Sequence, residues 1–191
     1  MDDAAPDLMS LPDDLPIPAD DGGAGHLAGT LLPAVPLPAT DGSTVDLAAR
    51  SRKQPMVVFA YPRTGRPGDA PLVPDWDDIP GARGCTSEVC SFRDLAADFA
   101  AIGAAVCGLS TQDMAYQREA VERLALPYPL LSDADLELAT AIGLPTMEIA
   151  GVTLLKRLTM ILAEGRIDTV IYPVFPPDRA AAEAMALLTE R

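Results

Sequence analysis

Residues 56–61, MVVFAY, form the first sustained apolar run of the chain, with β-branched members and no polar break. Such a run is expected of a strand covered on both faces, where neither side meets water and alternation disappears. Residues 104–109 have the same character, and 128–131 form a shorter version. Residues 158–163 and 167–172 flank Glu164-Gly165, which predicts an antiparallel hairpin. Between these runs the period changes to that of a helix. Phe92, Leu95, Ala96 and Phe99 recur at helical spacing, so residues 86–102 are expected to be helical, with Gly103 as terminator. A second helix is expected to run to about Leu124, capped by Ser110 or Thr111. A short one over 132–141 would be capped by Ser132 or Asp133, and a last, Ala-rich one begins near Pro176 or Pro177.

The remaining segments are punctuated by Pro and Gly. Residues 31–50 read as a small hairpin turning at Asp41-Gly42, then a helical turn over 46–50. Residues 62–84 are dense in Pro and Gly and read as a loop of unusual length, which in a compact domain is usually functional. The order strand, helix, strand, helix, late hairpin, final helix predicts an α/β domain of thioredoxin-like fold, a mixed central sheet flanked by helices. Two units are expected: an acidic, Pro/Gly-rich arm over 1–30, and the domain proper over 31–191.

Composition narrows the function. At 191 residues and 49% hydrophobic, the chain can bury one domain core. The net charge of −14 disfavours nucleic acid and anionic membrane surfaces as partners. Seven Asp and no Lys or Arg fall in residues 1–30, so half of that charge lies in the arm. The start, MDDAAPDLMS, lacks the basic and apolar regions of a signal peptide, and no apolar run is long enough to span a membrane. A cytoplasmic protein is expected.

Three cysteines carry the candidate chemistry. Cys85 and Cys90 lie in GARGCTSEVCSFRD, where the long loop becomes a helix. Free amides and the helix dipole at a first turn favour a thiolate, and Arg83 is near in sequence. The bland alternative is a buried apolar cysteine. A spacing of five along an intact helix separates the α-carbons by about 7.5 Å along the axis alone, beyond the roughly 7 Å that a disulfide tolerates. Either the two never bond or the first turns unwind. Cys107, inside a buried run, reads as a core residue. The one histidine, His26, lies in the arm, so neither a zinc site nor histidine acid–base catalysis is supported, and no dinucleotide or phosphate-binding loop is present. No cofactor is expected.

Three further residues are candidates. The Thr64 hydroxyl lies just beyond the first strand, either an ordinary loop group or one that orients a substrate. Arg157 enters a late strand, either solvated or converging on the Cys85 helix end to stabilise negative charge. Glu88 falls on the exposed first turn of the helix, as a capping charge or a partner for an arginine.

FAYPRTG followed by PGARGCTSEVCSFRDL resembles the peroxiredoxins, and within them the bacterioferritin-comigratory or PrxQ-like branch. Cys85, Thr86, Glu88 and Cys90 match that branch's attacking cysteine, Thr-x-Glu and resolving cysteine in order and spacing. Phe92, Arg93 and Asp94 continue the match. Gly108-Leu109-Ser110, LPYPLLSDAD and Arg157-Leu158-Thr159-Met160 resemble later segments of the family, whose arginine belongs to the active site. The resemblance covers about residues 31–175. It departs in one place. The family runs Pro-x-x-x-Thr-x-x-Cys, whereas Pro62 and Cys85 are 23 positions apart and Ala82 stands where the threonine is expected. An insertion over 65–80 accounts for the difference and would pass the hydroxyl role to Thr64.

The resemblance implies a thiol peroxidase. The Cys85 thiolate attacks hydrogen peroxide or an alkyl hydroperoxide and becomes a sulfenic acid; Cys90 condenses with it; thioredoxin or a glutaredoxin-like protein reduces the disulfide. Arg157 stabilises charge, and Thr64, or Thr86, orients the peroxide. The branch implies a monomer, and the arm and insertion leave a homodimer open. Two other readings share the fold: a thiol-disulfide oxidoreductase or redox carrier, and a non-catalytic redoxin-like binding protein.

Overall fold

The computed structural model describes residues 8, 10–12 and 14–190. Its centre is a five-stranded mixed sheet. The strands are β3 (Met56–Ala60), β4 (Ala105–Ser110), β5 (Leu130–Ser132), β8 (Leu158–Ala163) and β9 (Arg166–Ile171), in the order β5-β4-β3-β8-β9. β3 runs parallel to β4 and antiparallel to β8. Two small hairpins lie outside it, β1 (Pro36–Pro38) with β2 (Thr44–Asp46), and β6 (Thr146–Ile149) with β7 (Val152–Leu155). The helices are α1 (Leu47–Ser51), α2 (Cys85–Asp94), α3 (Ala96–Ala101), α4 (Met114–Leu124), α5 (Glu137–Ile142) and α6 (Ala180–Thr189). Among the described residues no helix is long and apolar enough to cross a membrane.

The uninterrupted apolar run of β3 has the cause expected for it. Met56, Val58 and Ala60 face one core layer, with α1 and α5; Val57, Phe59 and Tyr61 face the other, under α2, α3, α4 and α6. Both faces of the strand are therefore dry. The arm also takes part. Ala24 and Leu27 are buried in the first layer, and the His26 Nε2 lies 3.0 Å from the Ile142 carbonyl.

Several expectations need correction. The helix expected over 86–102 is two helices, because Leu95 leaves the helical region at φ −102°, ψ 6°. Neither Ser110 nor Thr111 caps α4. Asp113 does, accepting from the Tyr116 N–H at 2.8 Å, while the Ser110 hydroxyl donates to the Pro62 carbonyl and that of Thr111 to the Thr153 carbonyl. The helix expected over 132–141 starts at Glu137. Asp133 still caps it at a distance, its carboxylate accepting from the Leu138 and Ala139 N–H groups. The β6–β7 hairpin is not expected from the pattern of apolar residues. Its turn, Ala150-Gly151, has both φ values positive, a conformation that Asn-Gly would advertise and Ala-Gly does not.

Candidate active site

The site forms where three chain segments meet at one end of the sheet. β3 ends at Ala60 and hands on to Pro62–Thr64. β8, antiparallel to it with Ala60 opposite Leu158, begins just after Arg157. α2 starts beside both. Its first residue, Cys85, follows Gly84 at φ 99°, in the left-handed region open to glycine. A Cβ there would also come within 2.4 Å of Pro177 Cγ, so the tight entry into α2 requires glycine twice over.

Cys85 is buried and lines a cavity, and two donors converge on its sulfur. The Arg63 backbone N–H donates at 3.4 Å, and Arg157 Nη2 donates at 3.3 Å. The thiol itself donates to the Ala82 carbonyl at 3.4 Å. Ala82, at the position where a threonine was expected, thus supplies a backbone acceptor. Arg157 is buried rather than solvated, and both terminal nitrogens of its guanidinium are engaged. Nη1 donates to Glu88 Oε2, and Nη2 also reaches the carbonyls of Gly81 and Arg83 at 3.1 and 2.9 Å.

Glu88 is not on an exposed turn. It is completely buried, and the partner-for-an-arginine alternative is the one the structure displays. Its other oxygen, Oε1, lacks a hydrogen-bond partner among the described residues. Burial pushes the Glu88 carboxyl up to about 7, against the pull of Arg157. Burial likewise raises the Cys85 thiol; Arg157 opposes that, Glu88 adds to it, and the Arg63 N–H opposes it. Two acids therefore compete for one guanidinium in a dry site.

Thr64 is buried and lines the same cavity, but its hydroxyl points elsewhere. Both its hydroxyl and its backbone N–H donate to Gln112 Oε1, at 3.1 and 3.0 Å. Gln112 returns a bond from Nε2 to the Thr64 carbonyl at 3.4 Å. This clasp holds the Pro62–Gly65 segment, and with it the Arg63 N–H aimed at sulfur. Sequence reasoning missed Gln112, because a glutamine near a helix start carries no chemical signal until the fold brings it to Thr64. Thr86 is buried and lines the cavity. Cys90 is buried on the same side of the sheet, and no disulfide links the three cysteines. Cys107 lies in the opposite core layer, where burial pushes its thiol up to about 12. Among the described residues no group of three or more His, Cys, Asp or Glu is placed to hold a metal ion.

A helix-start cysteine held by an arginine sits at the end of a sheet with helices on both faces, and a family model described as Redoxin matches residues 27–188. A protein of Mycobacterium tuberculosis strain H37Rv, provisionally named a peroxiredoxin, is 31% identical over 153 residues, covering 80% of this chain and 89% of its own. Peroxiredoxin Q of Gentiana triflora, a chloroplastic protein, is 30% identical over 187 residues, covering 95% and 77%. Among solved structures, peroxidoxin BcpB of M. tuberculosis superposes with a TM-score of 0.68 at 30% identity, covering 86% and 97%. Peroxiredoxin Q of Xanthomonas campestris, at 24% identity and a TM-score of 0.67, shares the fold. The chain belongs to the peroxiredoxin family, in its peroxiredoxin Q and bacterioferritin-comigratory-like branch, and its activity is thiol-dependent peroxide reduction.

Proposed function

We propose that Cys85 is the residue that attacks peroxide and Cys90 the one that resolves the product. The observation that carries this is the convergence of Arg157 Nη2 and the Arg63 N–H on the Cys85 sulfur. Both donors favour the thiolate, and in the proposed reaction the same two donors serve the charge that grows on the peroxide oxygens. The thiolate attacks the distal oxygen, the S–O bond forms as the O–O bond breaks, and water or an alcohol leaves with a proton. Cys85 is then a sulfenic acid. Cys90 lies five residues on in the same helix, so α2 unwinds before the Cys90 thiol displaces the hydroxyl as water and the disulfide closes. A dithiol protein, thioredoxin or a glutaredoxin-like protein, restores both thiols by exchange.

Glu88 holds Arg157 in place, and Thr64 acts through Gln112 to aim the Arg63 N–H. Thr86 borders the path of the peroxide. The reaction needs no metal or organic cofactor. The acidic chain works in the cytoplasm, as a monomer or homodimer, apart from nucleic acid and membranes.

Hydrogen peroxide consumption coupled to thioredoxin and its reductase tests the proposal. Cys85→Ser abolishes it. Cys90→Ser keeps the first turnover and loses recycling through the intramolecular disulfide. Full turnover by Cys85→Ser would falsify the assignment. Thiol exchange without peroxide consumption by the wild type would point to a redox carrier, and neither activity to a binding protein.

A further inference from the structure

The described residues of the arm between Leu8 and Asp21 precede the Redoxin match, and they lie along the segment that leads into α2. Three of their side chains meet the backbone at glycines. A Cβ on Gly65 would stand 2.7 Å from Leu8 Cδ2, one on Gly84 3.0 Å from Leu11 Cδ2, and one on Gly81 3.7 Å from Pro18 Cβ. Between these points the Ser10 carbonyl accepts from Arg83 Nη2 at 3.3 Å. The far end is pinned by side chains. Asp21 accepts from Lys156 Nζ at 2.5 Å and from the Tyr172 hydroxyl at 2.7 Å, and Lys156 is the chain neighbour of Arg157.

The segment under the arm serves the site directly. The Gly81 and Arg83 carbonyls hold Arg157, the Ala82 carbonyl accepts from the Cys85 thiol, and Gly84 is the residue from which α2 starts. When α2 unwinds from this end, Arg83 and Gly84 leave the positions that Ser10 and Leu11 hold. The arm contacts are shallow, since Leu8 and Leu11 are half-buried and Asp21 is exposed. They can open locally without disturbing the core.

We propose that the arm is a strap that restrains the unwinding of α2 and so sets the lifetime of the Cys85 sulfenic acid. The inference rests on Cys85 as the attacking residue and Cys90 as the resolving one. The sulfenic acid has two fates. The Cys90 thiol displaces its hydroxyl as water and the S–S bond closes, or a second peroxide gives sulfur an oxygen and leaves as water or an alcohol, which makes a sulfinic acid. A strap that delays the first fate favours the second when peroxide is abundant.

Trp76 reports the steps. It is the one tryptophan of the chain, it lines the cavity with Cys85, and it packs with Ile149 and Leu154 of the β6–β7 hairpin. Stopped-flow fluorescence of the full chain separates a phase that scales with peroxide, the oxidation of Cys85, from one that does not, the closure. The double variant Leu11→Ser/Asp21→Ala loosens both ends of the strap and leaves the site residues in place. With the hydrogen bonds and packing of the strap lost, closure is about threefold or more faster, and the first phase stays within about twofold of the wild type. The peroxide concentration that half-converts Cys85 to sulfinic acid, read by mass spectrometry, rises with the closure rate. In the wild type, endoproteinase Asp-N cuts before Asp14, exposed between the two anchors, faster in the disulfide form than in the reduced form. Unchanged closure in the variant, a slowed first phase, or equal cutting of the two forms overturns the strap while leaving the peroxidase intact. Failure of peroxide to oxidise Cys85 in the wild type overturns the peroxidase reading itself, and the strap with it.

Discussion

Arg157 carries one positive charge and faces two acids, the Glu88 carboxyl and the Cys85 thiol, both buried. Replacing it by Ala removes a charge-assisted hydrogen bond of about 1.5–3 kcal/mol, so oxidation of Cys85 by hydrogen peroxide at pH 7 slows about 10- to 100-fold. The midpoint of Cys85 alkylation against pH moves up in that variant, and stopped-flow and iodoacetamide kinetics read the two effects. An unchanged rate and midpoint would remove Arg157 from the site. Glu88 makes a separate pH-dependent contribution. Its folded pKa of about 7 lies above the ordinary 4.5, so between those values the folded state binds more protons than the unfolded one. Its contribution to stability therefore falls as pH rises through that window. Glu88→Gln abolishes this component, and the melting temperature of the wild type drops more steeply than the variant's between pH 5 and 7. The residue types of this site were readable from the motif, but the burial of Glu88 and the commitment of Thr64 to Gln112 were not. Both depend on which distant segments pack over the helix start.

At the scale of elements, α2 must be stable enough to present Cys85 and loose enough to unwind for Cys90. Its attachments show how this is balanced. Glu88 fixes the first turns through Arg157, and the Tyr128 hydroxyl donates to the Val89 carbonyl. Arg93 Nη1 donates to the Leu124 carbonyl further along. The break at Leu95 separates this short helix from α3, so unwinding need not propagate. Tyr128→Phe removes one anchor. Stability falls by about 1 kcal/mol in urea denaturation, and the disulfide closes faster after Cys85 oxidation. A slower closure would mean that Tyr128 assists unwinding instead of restraining it. The apolar runs revealed β3, β4 and the β8–β9 hairpin because core strands carry a strong hydrophobic signal. The β6–β7 hairpin escaped because it is partly exposed and lacks a favoured turn pair, yet it braces the cavity wall.

At the scale of the molecule, the sheet sorts the three cysteines. Cys85 and Cys90 belong to the layer under α2, whereas Cys107 points into the layer on the far side. No local unwinding of α2 brings Cys107 to Cys85, since β4 lies inside the sheet between β3 and β5. The thioredoxin-like architecture was legible in the order of elements. The course of 65–80 was not, because a Pro- and Gly-rich segment with one short turn at Trp76–Asp78 takes its shape from what it packs against.

The most direct test of the central claim is peptide mass spectrometry of the full chain after one equivalent of peroxide. A Cys85–Cys90 disulfide is expected in the wild type and a sulfenic acid on Cys85 in Cys90→Ser, with Cys107 unmodified in both. Oxidation at Cys107 with Cys85 still reduced would contradict the claim.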